Sequence, residues 1–122
     1  MDSLRVAVDE DVVIEFRPGA TVRVTPHMHQ ALSRMRAVLI ATARARATTS
    51  YGSLMEATGK PYLPQGLGRV LDVLTMDCAR RGEPSLAALV VRRAEREVGD
   101  GFTGDAGAER AACWQHWSTE RS

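Results

Sequence analysis

No stretch of this sequence approaches the roughly 18 consecutive apolar residues that a membrane-spanning helix needs, so a helical integral membrane protein is not expected. The opening residues, Met1 to Val8, carry Asp2 and Arg5 and lack a basic stretch followed by a long apolar run, so no secretory signal is expected either. Cysteine is scarce, with Cys78 and Cys113 the only two. Two thiols without a signal read as reduced packing residues rather than a disulfide framework, and the expected compartment is the cytoplasm. Internal repeats and low-complexity runs are absent. So are the marks of catalysis: there is no pair of carboxylates at a telling spacing, no Ser-His-Asp set and no phosphate-binding glycine loop. The expectation is a protein that is not an enzyme and uses no cofactor.

What is present is ordinary for a globular chain: 122 residues, 44% hydrophobic and 25% charged. That length suits one domain, residues 1–122, with one core. The net charge of +1 conceals an asymmetry, because residues 1–30 sum to −2, residues 31–96 to +6 and the remainder to −3. A basic middle between acidic ends can aim one surface at an anionic partner.

Leu4, Val6 and Val8 alternate, Asp9-Glu10-Asp11 makes a turn, and Val12 to Arg17 is rich in β-branched residues, which reads as a hairpin. Pro18-Gly19 is a turn signal and Thr21 to Thr25 alternates again, giving a third strand, so that residues 1–25 form an antiparallel β meander. Thr25 then caps a helix with Pro26 at its first position. Met28, Ala31, Leu32, Met35, Val38 and Leu39 recur at helical spacing, so a long amphipathic helix runs from residue 26 to about 46, with Arg34, Arg44 and Arg46 on its other side. Thr48-Thr49-Ser50 offers a cap for a second helix, Tyr51 to Thr58, closed by Gly59. A third helix starts at Pro64 or Gln65, turns Leu67, Val70, Leu71, Leu74 and Cys78 inward, and stops at Gly82. Leu86 to Val91 is short, apolar and bounded by breakers, which favours a buried strand, while Ala87, Ala88, Ala94 and Glu95 support a competing helix from Ser85 to Val98. Gly99, Gly101 and Gly104 mark a loop, and Asp105 to Trp117 reads as a final helix docked through Trp114 or Trp117. This order defines an α+β fold: a winged helix-turn-helix over residues 26–102, preceded by the meander and followed by a C-terminal helix over 103–122.

The segment Met35-Arg36-Ala37-Val38-Leu39 through Thr48-Thr49-Ser50-Tyr51-Gly52-Ser53-Leu54 resembles the DNA-binding segment of the O6-alkylguanine DNA alkyltransferases and alkyltransferase-like proteins. Gly66-Leu67-Gly68-Arg69-Val70-Leu71 resembles the start of that family's recognition helix, and Leu89-Val90-Val91 with Gly101-Phe102 resembles its wing strand and glycine loop. The likeness covers roughly residues 28 to 102 and implies a DNA-binding winged helix. Where the family places a reactive cysteine before the paired valines, this chain reads Leu86-Ala87-Ala88-Leu89, and the family's intercalating arginine falls on Gln65. Alkyl transfer needs a thiolate held by a histidine, so the resemblance implies the fold without the chemistry. The region around Pro84, Leu86, Leu89-Val90-Val91 and Gly99 to Phe102 also resembles small bacterial proteins that have no assigned activity.

His27-x-His29 and Cys113-x-x-His116 supply four potential zinc ligands, but residues two apart at a helix start point to different sides, so no metal site is expected. The expected DNA contacts are Thr48, Thr49 and Tyr51 to phosphates at a helix start. Gln65 and Arg69 would face base edges, Gln65 toward adenine, and Arg44, Arg46, Lys60, Arg92 and Arg93 would neutralise flanking phosphates. For Arg69 the alternative is an ion pair to Asp72 one turn on. The expectation is therefore a non-enzymatic DNA-binding protein, a regulator or a lesion- or modification-sensing accessory factor. The rival is a protein-interaction adaptor on the same scaffold, and the acidic meander offers an edge strand for a homodimer.

Overall fold

The computed structural model describes residues 4–59, 62, 64–91 and 106–119. It is an α+β arrangement dominated by helix: β1 (Asp11–Val13), β2 (Thr21–Arg23), α1 (Pro26–Arg44), β3 (Thr49–Ser50), α2 (Tyr51–Thr58), α3 (Pro64–Arg81), β4 (Val90–Val91) and α4 (Ala106–Thr119). Two small sheets form, β1 with β2 antiparallel and β3 with β4 parallel. Buried residues from the hairpin, α1 to α4 and β4 make one continuous cluster, centred on Leu32, Met35, Leu39, Leu54, Leu74 and Leu89. No helix among the described residues is long and apolar enough to cross a membrane.

Alternation builds the hairpin: Val12, Ile14, Val22 and Val24 turn inward while Asp11, Val13, Thr21 and Arg23 face solvent. The three-stranded meander expected from the sequence is a two-stranded hairpin instead. Residues 4–8 alternate as a strand would, and Val6 is buried, yet their backbone groups are claimed by side chains. The Asp77 carboxylate accepts from the amides of both Arg5 and Val6, and Arg80 donates to the Arg5 carbonyl at 3.1 Å. A segment whose amides are satisfied by α3 has none left for a ladder. Asp9 makes the turn in the left-handed region, φ 70°, which aspartate tolerates better than most residues.

The helix signals hold. The Thr25 hydroxyl accepts from the Met28 amide at 3.0 Å with Pro26 in the first turn, and α1 buries Met28, Ala31, Leu32, Met35 and Leu39 along one stripe. Ser50 caps α2 by accepting from the Ser53 amide, and Gly59 closes it at φ 86°. α3 buries Leu67, Val70, Leu71, Leu74 and Cys78 and ends at Gly82, φ 71°.

Residues 86–91 are neither the continuous strand nor, over their described part, the α-helix that the sequence allowed. Leu86–Leu89 form a 3-10 turn and only Val90–Val91 extend, pairing with Thr49 and Ser50. The rest of the competing helix, residues 92–98, and the glycine loop lie outside the described residues. The turn is held by α4. Glu109 accepts from the Ser85 amide at 2.7 Å, Arg110 donates to the Ala88 carbonyl, and the Cys113 thiol donates to the Ser85 carbonyl at 3.1 Å. Side chains of a packed helix thus replace the ladder partners that a longer strand would have needed.

Cys78 and Cys113 flank that turn as buried thiols. Desolvation pushes Cys78 up to about 11 and Cys113 to about 12, the neighbouring Cys78 adding to the shift at Cys113. A thiol whose folded value is raised stays protonated while its unfolded counterpart ionises, so its contribution is complete below about pH 8.5 and is lost as pH rises toward the folded values. Between pH 9 and 11, stability is expected to fall by on the order of 1 kcal/mol per pH unit for each thiol. Urea melts of the native chain and a Cys113→Ala variant at pH 7, 9 and 10 check this; equal slopes in the two proteins would contradict it.

Candidate nucleic-acid interface

The end of α1 and the start of α2 are joined by a turn that carries strain. The Arg46 amide donates to Ala43 and the Ala47 amide to Thr42, the paired bonds of a Schellman cap. The residue at the left-handed position of such a cap is usually glycine, and α3 obeys that rule with Gly82, whose cap has the same pair of bonds, Gly82 to Ala79 and Glu83 to Cys78. At α1 the position is held by Arg46, φ 54°, a conformation that costs a residue with a Cβ about 1–2 kcal/mol. Arg46→Gly is therefore expected to stabilise the fold by about 1 kcal/mol, a rise of roughly 3–6 °C in melting temperature. A thermal melt at or below that of the native chain would show that the turn is not strained.

The turn sets Arg46, Thr48, Thr49, Ser50 and Ser53 around an open recess of about 720 Å³ at the N-terminus of α2, bordered by Val91 of β4. Thr48, Thr49 and Ser50 are half-buried, and Gly52 and Ser53 are exposed. The Ser50 hydroxyl accepts from the Ser53 amide, so the recess lies at the positive end of the helix. Hydroxyls and a guanidinium at a helix start make a recess suited to an anion. Trp114 of α4 braces it from behind, its indole N–H donating to the Ala47 carbonyl at 2.9 Å.

Of the residues expected from the sequence, Arg46, Thr48 and Thr49 come together here, with Arg44 exposed in the last turn of α1. Tyr51 is half-buried with its ring packed on the core and does not line the recess. Arg69 lines a different cleft, with Tyr62, His27 and Arg23. Its alternative partner is taken, because Asp72 binds Arg17 at 2.8 Å. Gln65 is placed in the first turn of α3, but its side chain, Lys60, Arg92 and Arg93 lie outside the described residues. Reading by residue type missed Ser53 and Trp114. The first was legible as a hydroxyl three residues after Ser50; the second had no local signal.

The basic middle of the chain is less free than its count of cations implied. Arg36 is buried against Glu83, Arg80 pairs with Glu10, and Arg81 with Asp77. Arg80 and Arg81 also sit at the far end of α3 from Gln65. Arg34, Arg44, Arg46 and Arg69 are exposed, and none forms an ion pair with a described residue.

Leu86, Ala87, Ala88 and Leu89 are all buried. Cys78 is buried on α3 with its thiol held protonated. Among the described residues no three of His, Cys, Asp and Glu converge on a point that could hold a metal. His27 lies edge-on to Tyr62, while Cys113 is bonded to Ser85. No family model, curated protein or solved structure matches this chain.

Proposed function

We propose that the chain is a non-enzymatic DNA-binding protein built on a winged helix-turn-helix. The observation that carries this reading is the strained turn at Arg46, which holds an exposed guanidinium beside the hydroxyls of Thr48, Thr49 and Ser53 at a helix start. Strain kept at an exposed position where glycine is better suited points to a role for the side chain. Three further features agree with the reading. The order α1, β3, α2, α3, β4 with β3 paired to β4 suits a winged helix, the first turns of α3 expose Gly66, Gly68 and Arg69, and the residues resemble the alkyltransferase DNA-binding segment. In this reading Arg44, Arg46, Thr48 and Thr49 grip phosphates, and Gln65 and Arg69 face the bases. Lys60, Arg92 and Arg93 add phosphate contacts. No nucleophile acts, which fits a regulator or a sensor of modified DNA.

Fluorescence anisotropy with a labelled duplex, titrated across a salt series, tests it. The native chain should bind at low salt with a steep salt dependence. Replacing Arg44, Arg46 and Arg69 together by alanine should weaken binding and flatten the slope of log K against log salt by about one unit for each phosphate that is no longer neutralised. A native chain that leaves the duplex unbound at low salt ends the reading. The internal pairing of Arg36, Arg80 and Arg81 weakens the surface field and favours, as a second reading, a protein-interaction adaptor.

A further inference from the structure

The register of the β1–β2 hairpin decides which backbone groups face outward. Ile14 donates to Ala20 and Val24 to Glu10, with Val12 opposite Val22 between them, so the hydrogen-bonded positions of β2 are 20, 22 and 24. Thr21 and Arg23 alternate with these and turn their N–H and C=O groups away from β1. No backbone group among the described residues meets them. That outer edge opens into a cleft of about 620 Å³, whose far wall is the first turns of α3 at Gly66 and Arg69 and whose end carries the Tyr62 ring. His27 packs edge-on to that ring at 5.1 Å. A Cβ added at Gly66 would rest in ordinary contact with the Tyr62 ring, at 3.7 Å.

Among the described residues no carboxylate lines the cleft, whose arginines are Arg23 and Arg69. Arg23 is held bidentately by Asp11, whereas Arg69 forms no ion pair with a described residue. A row of outward amides and carbonyls recognises an extended polypeptide, and the Arg69 guanidinium selects a carboxylate on it. A second copy of this chain docked by the same edge would set Arg23 and Arg69 against their own counterparts, a like-charge contact that disfavours it. Phosphates would meet the outward carbonyls of Thr21 and Arg23, which repel them. We propose that the outer edge of β2 takes an extended acidic segment of a partner protein as a third strand, with Arg69 pairing to one of its carboxylates. This assignment does not rest on DNA binding, but both readings call on Arg69, so peptide and duplex would compete for it.

The probe is a blocked heptapeptide alternating glutamate and valine, with two controls: the same peptide with lysine in place of glutamate, and a version N-methylated at alternate residues. Backbone amide NMR and calorimetry on the full chain are the readouts. The acidic peptide should bind with a Kd on the order of 10–100 μM, shift the Thr21 and Arg23 amides, and slow their hydrogen exchange. N-methylation should abolish binding, and Arg69→Glu should weaken it about tenfold. Equal binding of the acidic and basic peptides would overturn the proposal. So would amide shifts that spare Thr21 and Arg23, or protection of those amides in a dimer of the free protein. Protection by a DNA duplex with no response to the peptide would assign the edge to nucleic acid instead.

Discussion

Replacing Asp77 by alanine is expected to remove about 3–5 kcal/mol of stability, a large share of the roughly 5–15 kcal/mol typical of a domain. The side chain is fully buried and serves three donors at once. One oxygen accepts the Arg5 and Val6 amides, the second at 3.1 Å, and the other accepts Arg81 Nε at 3.0 Å. Arg81 is itself only 8% exposed. Alanine therefore leaves two amides without their acceptor and takes the buried carboxylate away from a nearly buried guanidinium, and a missing partner costs more than the pair contributed. It also releases residues 4–8, whose Val6 fills the core. Asp77→Asn should cost less only by the worth of the two backbone hydrogen bonds, because its amide oxygen still accepts the Arg5 and Val6 amides while its NH2 turns a donor toward Arg81 Nε. Urea denaturation of the three proteins reads the order. An alanine variant within about 1 kcal/mol of the native chain would mean that the segment is held by Val6 packing alone.

Asp77 also explains where the fold was legible and where it was not. Helices α1, α2 and α3 were readable because their caps and apolar stripes are local: Thr25-Pro26, Ser50 and Gly59, and Leu67 to Cys78 lie within a few residues of what they control. Residues 4–8 carry the alternation of a strand, and nothing within the segment reveals that a carboxylate some 70 positions on takes its amides. Residues 86–91 fail for a related reason. A short apolar run is compatible with strand or helix, and the choice fell to Glu109, Arg110 and Cys113 on a helix 20 or more residues downstream.

The candidate interface divides along the same line. The hydroxyl run Thr48 to Ser50 was visible because helix starts call for such residues. The left-handed geometry of Arg46 was not, since the sequence reads as the last turn of a helix until the chain is seen to cap there. Counting arginines by segment overstated the available charge. Ion pairing depends on contacts across the fold, and Glu10 and Glu83 come from distant parts of the chain to neutralise Arg80 and Arg36. Arg80 in turn holds the Glu10 carboxyl below its usual pKa.

Arg36→Met alone is expected to destabilise the chain by about 3–5 kcal/mol, and Arg36→Met combined with Glu83→Leu to restore most or all of that stability. Arg36 sits on the inner side of α1, 2% exposed, with Glu83 at 3.0 and 3.2 Å and the Trp117 ring 5.4 Å from its guanidinium carbon. Desolvating both ions is costly, and their attraction offsets that cost only while both are present. Removing the cation strands a carboxylate that is only 15% exposed. Two apolar side chains of similar volume have no desolvation cost to recover and keep the packing against Trp117. The pair also joins the C-terminal cap of α3 to α1, and α4 closes over it through Trp117. If it fixes the docking of α4, the double variant should regain its melting midpoint and yet show faster hydrogen exchange in α4 than the native chain. A double variant as unstable as Arg36→Met would show instead that the ion pair itself is net stabilising, and that its approach to Trp117 is more than packing.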